Sequence, residues 1–259
     1  MSNPTSKTKS RKTTVVLAVI LVLLVVFALT IFVILPNYHY YYLTHVKYPL
    51  YGGISAEFKD SELYKDMQSG KSFCFMGDSI TYGNVNGGIP WYQPLTPNIK
   101  GERSSLSHGG WMVLHLIENK DKIPAADVYV IAIGVNDVAV HWTEKASHDS
   151  AEFTERIEKL ANIIRSKSPN AKIYFISPWI FFVEDYERSE RAVQYRVALE
   201  NWCGKNDCIY INPVPFLASV LDDENCEKYM MDGFHPNSQD GVVLYSYAVL
   251  KADLERKTS

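Results

Sequence analysis

The sequence predicts a three-layer α/β domain, a parallel sheet with helices on both faces, carried behind one transmembrane helix. Three observations predict it. From Lys71 onward, short apolar runs of strand type alternate with longer helical stretches, the pattern of a parallel sheet with crossover helices. Asp127-Val128-Tyr129-Val130-Ile131-Ala132-Ile133 is a near-continuous apolar run, as in a strand buried on both faces. Val15 to Leu35 is apolar apart from Thr30, and its 21 residues reach roughly 31 Å as a helix, the thickness of a bilayer's hydrocarbon.

The chain is long enough, at 259 residues with 47% hydrophobic, for one domain of roughly 200 residues plus a smaller appendage. A net charge of -3 lacks the basic excess of a nucleic-acid-binding protein. No Cys-x-x-Cys pair, His-Glu-x-x-His or Cys/His cluster suggests a metal, and no motif implies an organic cofactor. Gly70-Lys71-Ser72 resembles the end of a phosphate-binding loop, but Lys65 stands where that loop needs glycine, and a strand follows rather than a helix.

Taken in order, residues 1–14 form a polar tail with Lys7, Lys9, Arg11 and Lys12. Residues 15–35 read as a signal anchor rather than a cleaved leader, because no small-residue cleavage site follows. Pro36-Asn37-Tyr38-His39-Tyr40-Tyr41-Tyr42 follows instead, a tyrosine cluster suited to the membrane interface. The basic tail should stay cytoplasmic, which places the carboxyl-terminal bulk outside the cytoplasm as a single-pass cell-membrane protein. Residues 36–70 are a stalk and lead-in, part of which should pack on the domain, and residues 71–259 are the domain itself.

Within the domain, Ser72 to Met76 is the first strand and Trp111 to Lys120 a helix after a glycine pair. Ser150 to Ser168 is an amphipathic helix with Phe153, Ile157, Leu160, Ala161 and Ile164 on one face, stopped by Pro169-Asn170. Lys172 to Ser177 and Cys208 to Asn212 are strands; Glu187 to Trp202 and Ser238 to Leu254 are helices. Outside the cytoplasm disulfides are permitted. Cys74, in a strand, reads as a buried thiol; Cys203 and Cys208 can close a small loop, or Cys226 can take either of them.

One stretch organises the rest: Phe75-Met76-Gly77-Asp78-Ser79-Ile80-Thr81-Tyr82-Gly83 puts a serine on the turn at the carboxyl end of a strand, where open α/β sheets build their sites. A serine hydroxyl needs a general base, and the base an orienting partner. His235 is the candidate base and Asp232 the candidate orienter, close enough in sequence for one loop to place both. Asp78 should fix its own turn through backbone N–H groups.

With Gly134-Val135-Asn136-Asp137 and Asp232-Gly233-Phe234-His235-Pro236-Asn237, in this order, the serine stretch resembles the blocks of the SGNH/GDSL hydrolase family, over about Lys71 to Leu250. The resemblance implies a flavodoxin-like domain with a five-stranded parallel sheet. It also implies a serine esterase with Ser79 as nucleophile and His235 and Asp232 completing a triad. The family's oxyanion donors are the serine N–H, a glycine N–H and an asparagine side chain; Ser79 and Asn136 match two of them. Ser105-Leu106-Ser107-His108-Gly109-Gly110-Trp111 resembles the glycine block without its leading asparagine, with Gly110 aligning best and Gly109 the alternative. His108 is a candidate second base, or a residue lining the cleft.

Among aromatic residues in loops or near strand ends (Trp91, Trp111, His141, Trp142, Trp179, Phe181, Phe182 and Tyr186), Trp142 and Trp179 are the candidates for stacking on a sugar ring. Family and location together suggest an ester-bearing small molecule or acetylated glycan as substrate. The alternatives are an O-acetyltransferase working with a separate acyl-donor partner, or a non-catalytic glycan-binding protein.

Overall fold

The computed structural model describes residues 4–51, 55–139, 143–179, 186–222 and 224–256. Its centre is a sheet of five strands: β1 (Phe73–Gly77), β2 (Arg103–Ser107), β3 (Val128–Ala132), β4 (Lys172–Ile176) and β5 (Ile209–Ile211). The order is β2-β1-β3-β4-β5 and every pair is parallel. This is the flavodoxin-like order of doubly wound sheets.

The strands sort their side chains with period two, as pleating requires. Phe73 and Phe75 of β1, Val128, Val130 and Ala132 of β3, and Tyr174 and Ile176 of β4 enter one core. Cys74 and Met76, Tyr129 and Ile131, and Ile173 and Phe175 enter the other. The long carboxyl-terminal helix Asp240–Glu255 fills the first core with Val243, Leu244, Ala248 and Val249. Helix Ser150–Lys167 covers the second, through Phe153, Ile157, Leu160, Ala161 and Ile164, the face its periodicity predicts. Asp149 caps that helix by accepting from the N–H groups of Ala151 and Glu152.

The alternation extends to an element that has no apolar run. Arg103-Ser104-Ser105-Leu106-Ser107 is the edge strand β2, held to β1 through its backbone and partly exposed. Helix bounds otherwise move by a few residues; the stretch after the glycine pair is helical only over Val113–Glu118. None of the four cysteines, all among the described residues, forms a disulfide. Cys74 is buried, as its place in a strand predicts, and Cys203 is buried at the end of helix Tyr186–Cys203.

At the amino terminus, residues Thr14–Lys47 form one helix long and apolar enough to cross a membrane. Its apolar side chains, Val15 to Leu35, stand exposed, Phe32 by 78%. Pro36 lacks an N–H and would crowd the preceding turn of a regular α-helix. The turn before it, Thr30–Ile34, is accordingly widened to a π-helix. Past Tyr42 the chain turns into the domain, where Leu43, Tyr48 and Leu50 are buried in the first core.

Candidate active site

In the order β2-β1-β3, the connections leaving β1 and β3 diverge to opposite faces of the sheet, opening a crevice at the strands' carboxyl ends. Register puts Gly77, Ser107, Ala132 and Ile176 level at that edge. The turns that follow carry Ser79, His108–Gly110 and Asn136.

Gly77 ends β1 because nothing larger fits: a Cβ there would lie 2.2 Å from Ala132 O and 2.3 Å from Thr81 Oγ1. The chain then enters the short helix Ser79–Tyr82, whose cap is Asp78, its Oδ1 accepting from Ile80 N at 3.0 Å. Ser79 is therefore held at a strand-to-helix corner, 6% exposed.

His235 arrives from the other end of the sequence. Residues 230–237 form a hairpin closed by an antiparallel bridge between Met230 and Pro236 and a bond from Met231 N to His235 O of 2.8 Å. Asp232 Oδ1 accepts from the N–H groups of Phe234 (3.1 Å) and His235 (2.7 Å), and its Oδ2 lies 2.8 Å from His235 Nδ1. A carboxylate only accepts, so Nδ1 carries the ring proton and Nε2 is left as acceptor. Ser79 Oγ lies 2.9 Å from that Nε2 and donates to it. Burial alone would raise the Asp232 carboxyl, but the bonds from His235 and Phe234 and the nearby ring hold it below the usual carboxylate range.

Asn136 opens the turn after β3, 9% exposed, and its Nδ2 donates to Trp111 O at 2.9 Å. That bond joins it to the loop of Gly109 and Gly110. Gly110 has φ +74°, where a side chain is strained, with open space where its Cβ would be. A Cβ on Gly109, by contrast, would press on Asn84 at 2.9 Å. Motif reading alone did not find Asp137. It is fully buried, its Oδ2 accepts from Val113 N, and its Oδ1 accepts from Ser147 N and Oγ. It thus ties the Asn136 turn to two neighbouring loops, and burial raises its carboxyl despite these donors. Asn86 was also missed: its Nδ2 donates to Pro236 O at 3.0 Å, linking the Ser79 side of the crevice to the hairpin. The Asn86-Gly87-Gly88 turn was its only signal in sequence.

His108 is exposed and lines the crevice, its Nδ1–H donating to Gly109 O and its ring stacked between Tyr82 and Trp111. Ser79 Oγ bonds to His235 instead. Trp179 is a correction. The expectation that it faces substrate fails because it is 1% exposed, packed on Trp91 and Tyr245 inside the first core. Arg196 fixes its turn by donating to the carbonyls of Pro178 and Trp179. Trp142, with His141, Phe181 and Phe182, lies outside the described residues.

The sequence profile of the GDSL-like lipase/acylhydrolase family matches residues 75–239, from β1 through the histidine hairpin. The chain belongs to this family. It is a carboxylic ester hydrolase, the chemistry of that family. Among solved structures, one described as a GDSL-like lipase from Parabacteroides merdae superposes with TM-score 0.61 at 18% identity, covering 72% of this chain and 97% of that one. The acetylxylan esterase Axe2 of Geobacillus stearothermophilus superposes with TM-score 0.59 at 19% identity, covering 73% and 96%. At such identities the superpositions speak for the fold. No curated protein matches the chain by sequence.

Proposed function

We propose that Ser79, His235 and Asp232 are the catalytic triad of a membrane-anchored esterase that removes O-acetyl groups from cell-surface carbohydrate. The observation that carries the triad is the unbroken chain of bonds Ser79 Oγ–His235 Nε2 (2.9 Å) and His235 Nδ1–Asp232 Oδ2 (2.8 Å). Axe2 supports both parts. Its catalytic mutants are altered at a serine, an aspartate and a histidine three residues after that aspartate, the spacing of Asp232 and His235. It is an acetyl-xylooligosaccharide esterase.

In this reading Ser79 Oγ attacks the acyl carbon as His235 Nε2 takes its proton, and Asp232 stabilises the imidazolium. The oxyanion is met by the N–H groups of Ser79 and Gly110 and by the second amide hydrogen of Asn136, whose first is bonded to Trp111 O. Collapse of the intermediate breaks the bond to the sugar oxygen, which leaves as a hydroxyl by taking the proton from His235. Water, deprotonated by the same nitrogen, then releases acetate from the acyl-serine.

Residues 15–35 are the anchor in this reading, with residues 1–14 cytoplasmic, residues 36–70 as a stalk and lead-in whose Leu43, Leu50, Leu63 and Met67 pack into the domain, and residues 71–259 as the rest of the outer domain. Exposed apolar side chains along that helix support burial in lipid. The test is acetate release from acetylated xylooligosaccharide by the full chain in detergent micelles. Ser79→Ala should abolish turnover and labelling by a fluorophosphonate while circular dichroism stays unchanged. Persistent labelling of that variant would sink the triad. Acetyl transfer to an added sugar faster than acetate appears would replace the hydrolase with a transferase.

A further inference from the structure

The segment that joins the apolar helix to the domain ends on the catalytic hairpin. Lys47 Nζ donates to Tyr229 OH at 2.6 Å, and Tyr48 OH lies 3.2 Å from the same oxygen. Eight residues earlier, His39 Nε2 lies 2.8 Å from Asp240 Oδ2. Tyr229 and Asp240 bracket the hairpin that carries Asp232 and His235. Tyr229 is its foot: Tyr229 O accepts from Asn237 N at 2.7 Å, and Gly241 comes so close that a Cβ there would lie 2.1 Å from that oxygen. Asp240 opens the final helix, 7% exposed.

These contacts act where the site needs support. Ser79 is fixed by the sheet, whereas His235 stands on a surface hairpin whose aspartate is 48% exposed at its side chain. The Ser79–His235 bond therefore depends on how the hairpin is held against the sheet. Catalytic groups displaced by a fraction of an ångström lose rate without losing substrate affinity. We propose that residues 39–48 are a positioning element for the hairpin, with Lys47 and Tyr229 as the positioning residues; this rests on the triad reading above. Neither residue touches the reacting atoms. The path from Leu35 to Lys47 is helical throughout, so the clamp also sets the site within roughly 18 Å of helix from the end of the apolar run. An enzyme cut free at Tyr51 would lose the clamp together with Leu43, Tyr48 and Leu50 from the core.

The test uses the full chain in detergent micelles with p-nitrophenyl acetate, each rate normalised to the sites labelled by fluorophosphonate. Tyr229→Phe and Lys47→Met should each lower kcat five- to twentyfold and leave KM within twofold. The double variant should fall no more than twofold below Tyr229→Phe, because both variants break the Lys47–Tyr229 bond and only Tyr229→Phe also loses the Tyr48 contact. Lys47→Arg should recover most of the rate. Lys159→Met, which removes an exposed lysine paired with Glu155, should match the parent. Unchanged kcat in both single variants overturns the proposal. So do losses that multiply in the double variant, and so does a loss that disappears on normalisation, which is misfolding rather than mispositioning. If Ser79→Ala stays active in this assay, the triad reading fails instead, whatever Tyr229 does.

Discussion

Replacing Asp232 by Asn probes the orienting role with little disturbance to the hairpin. Asn Oδ1 can still accept from Phe234 N and His235 N, the two bonds that shape the turn. At the other oxygen the change is decisive. An NH2 group facing His235 Nδ1–H cannot accept it, so the ring is driven to carry its proton on Nε2. It then has no lone pair for the Ser79 hydroxyl, now 2.9 Å away. The lost bond is charge-assisted, worth about 1.5–3 kcal/mol. The low end applies, because half of the Asp232 side chain is exposed and solvent screens it. The wrong tautomer also removes general-base catalysis by Nε2, worth at least about 10²-fold, so the total is about 3–4 kcal/mol. At 1.36 kcal/mol per tenfold, kcat/KM for p-nitrophenyl acetate should fall roughly 10²–10³-fold. The unfolding midpoint should move by no more than about 3 °C. Asp232→Ala should fall at least as far in rate and lower the midpoint more, since it also frees the two N–H groups. If Asp232→Asn keeps kcat/KM within threefold of the parent, the carboxylate does not set the tautomer, and the orienting role belongs elsewhere.

Asn136→Ala should lower kcat by about 10²–10³-fold with a smaller change in KM, measured on the same ester; a loss confined to KM would make Asn136 a substrate contact. Trp179→Ala should cost about 3–5 kcal/mol in urea unfolding and leave KM within twofold, since the ring is core; a KM effect in folded enzyme would restore its expected place at the rim. Asp78→Asn should flatten a pH dependence of stability. Burial first, then the charge of Asp137, holds the Asp78 carboxyl at about 7. The folded chain therefore keeps a proton that the unfolded chain has released above about pH 4. The share of stability due to Asp78 must fall as pH rises from about 4 to about 7, by on the order of 2–4 kcal/mol, and the variant should lack that share. Parallel urea midpoints in both proteins across that range would refute it.

What could be read in the sequence was what is local. β1, β3 and β4 announce themselves as apolar runs, and helix Ser150–Lys167 by its period, because burial on two faces or one stripe constrains the residues directly. β2 gave no such signal: as an edge strand held by backbone bonds it tolerates three serines in five residues. Ser79, Asn136, Asp232 and His235 were legible because each sits in a short block that shapes its own turn. Trp179 was misread because distance from a strand end does not say which way a ring points. The 36–48 segment has no clear period, since it meets the domain at scattered points, Leu43 and Tyr48 in the core and polar contacts to Tyr229 and Asp240.

Three aspartates stand at this crevice, and only packing separates their roles. Asp78 is fully buried, with no partner for its Oδ2 among the described residues, and its carboxyl is held near neutrality. Asp137 is as deeply buried, and its two oxygens accept three bonds, one from Val113 and two from Ser147. Asp78 keeps its proton and so has little charge to lend, and Asp137 could reach a histidine only by leaving Val113 N or Ser147 N unpaired in the interior, at about 1–3 kcal/mol each. Asp232 is half exposed, so water shares the cost of its charge. The same bonds that fold the hairpin keep it ionised, lowering rather than raising its carboxyl. In the proposed triad, a carboxylate that supports a transient imidazolium through each turnover is suited to the surface for that reason. The same surface position leaves the hairpin dependent on whatever holds its ends, here Lys47 at Tyr229 and His39 at Asp240.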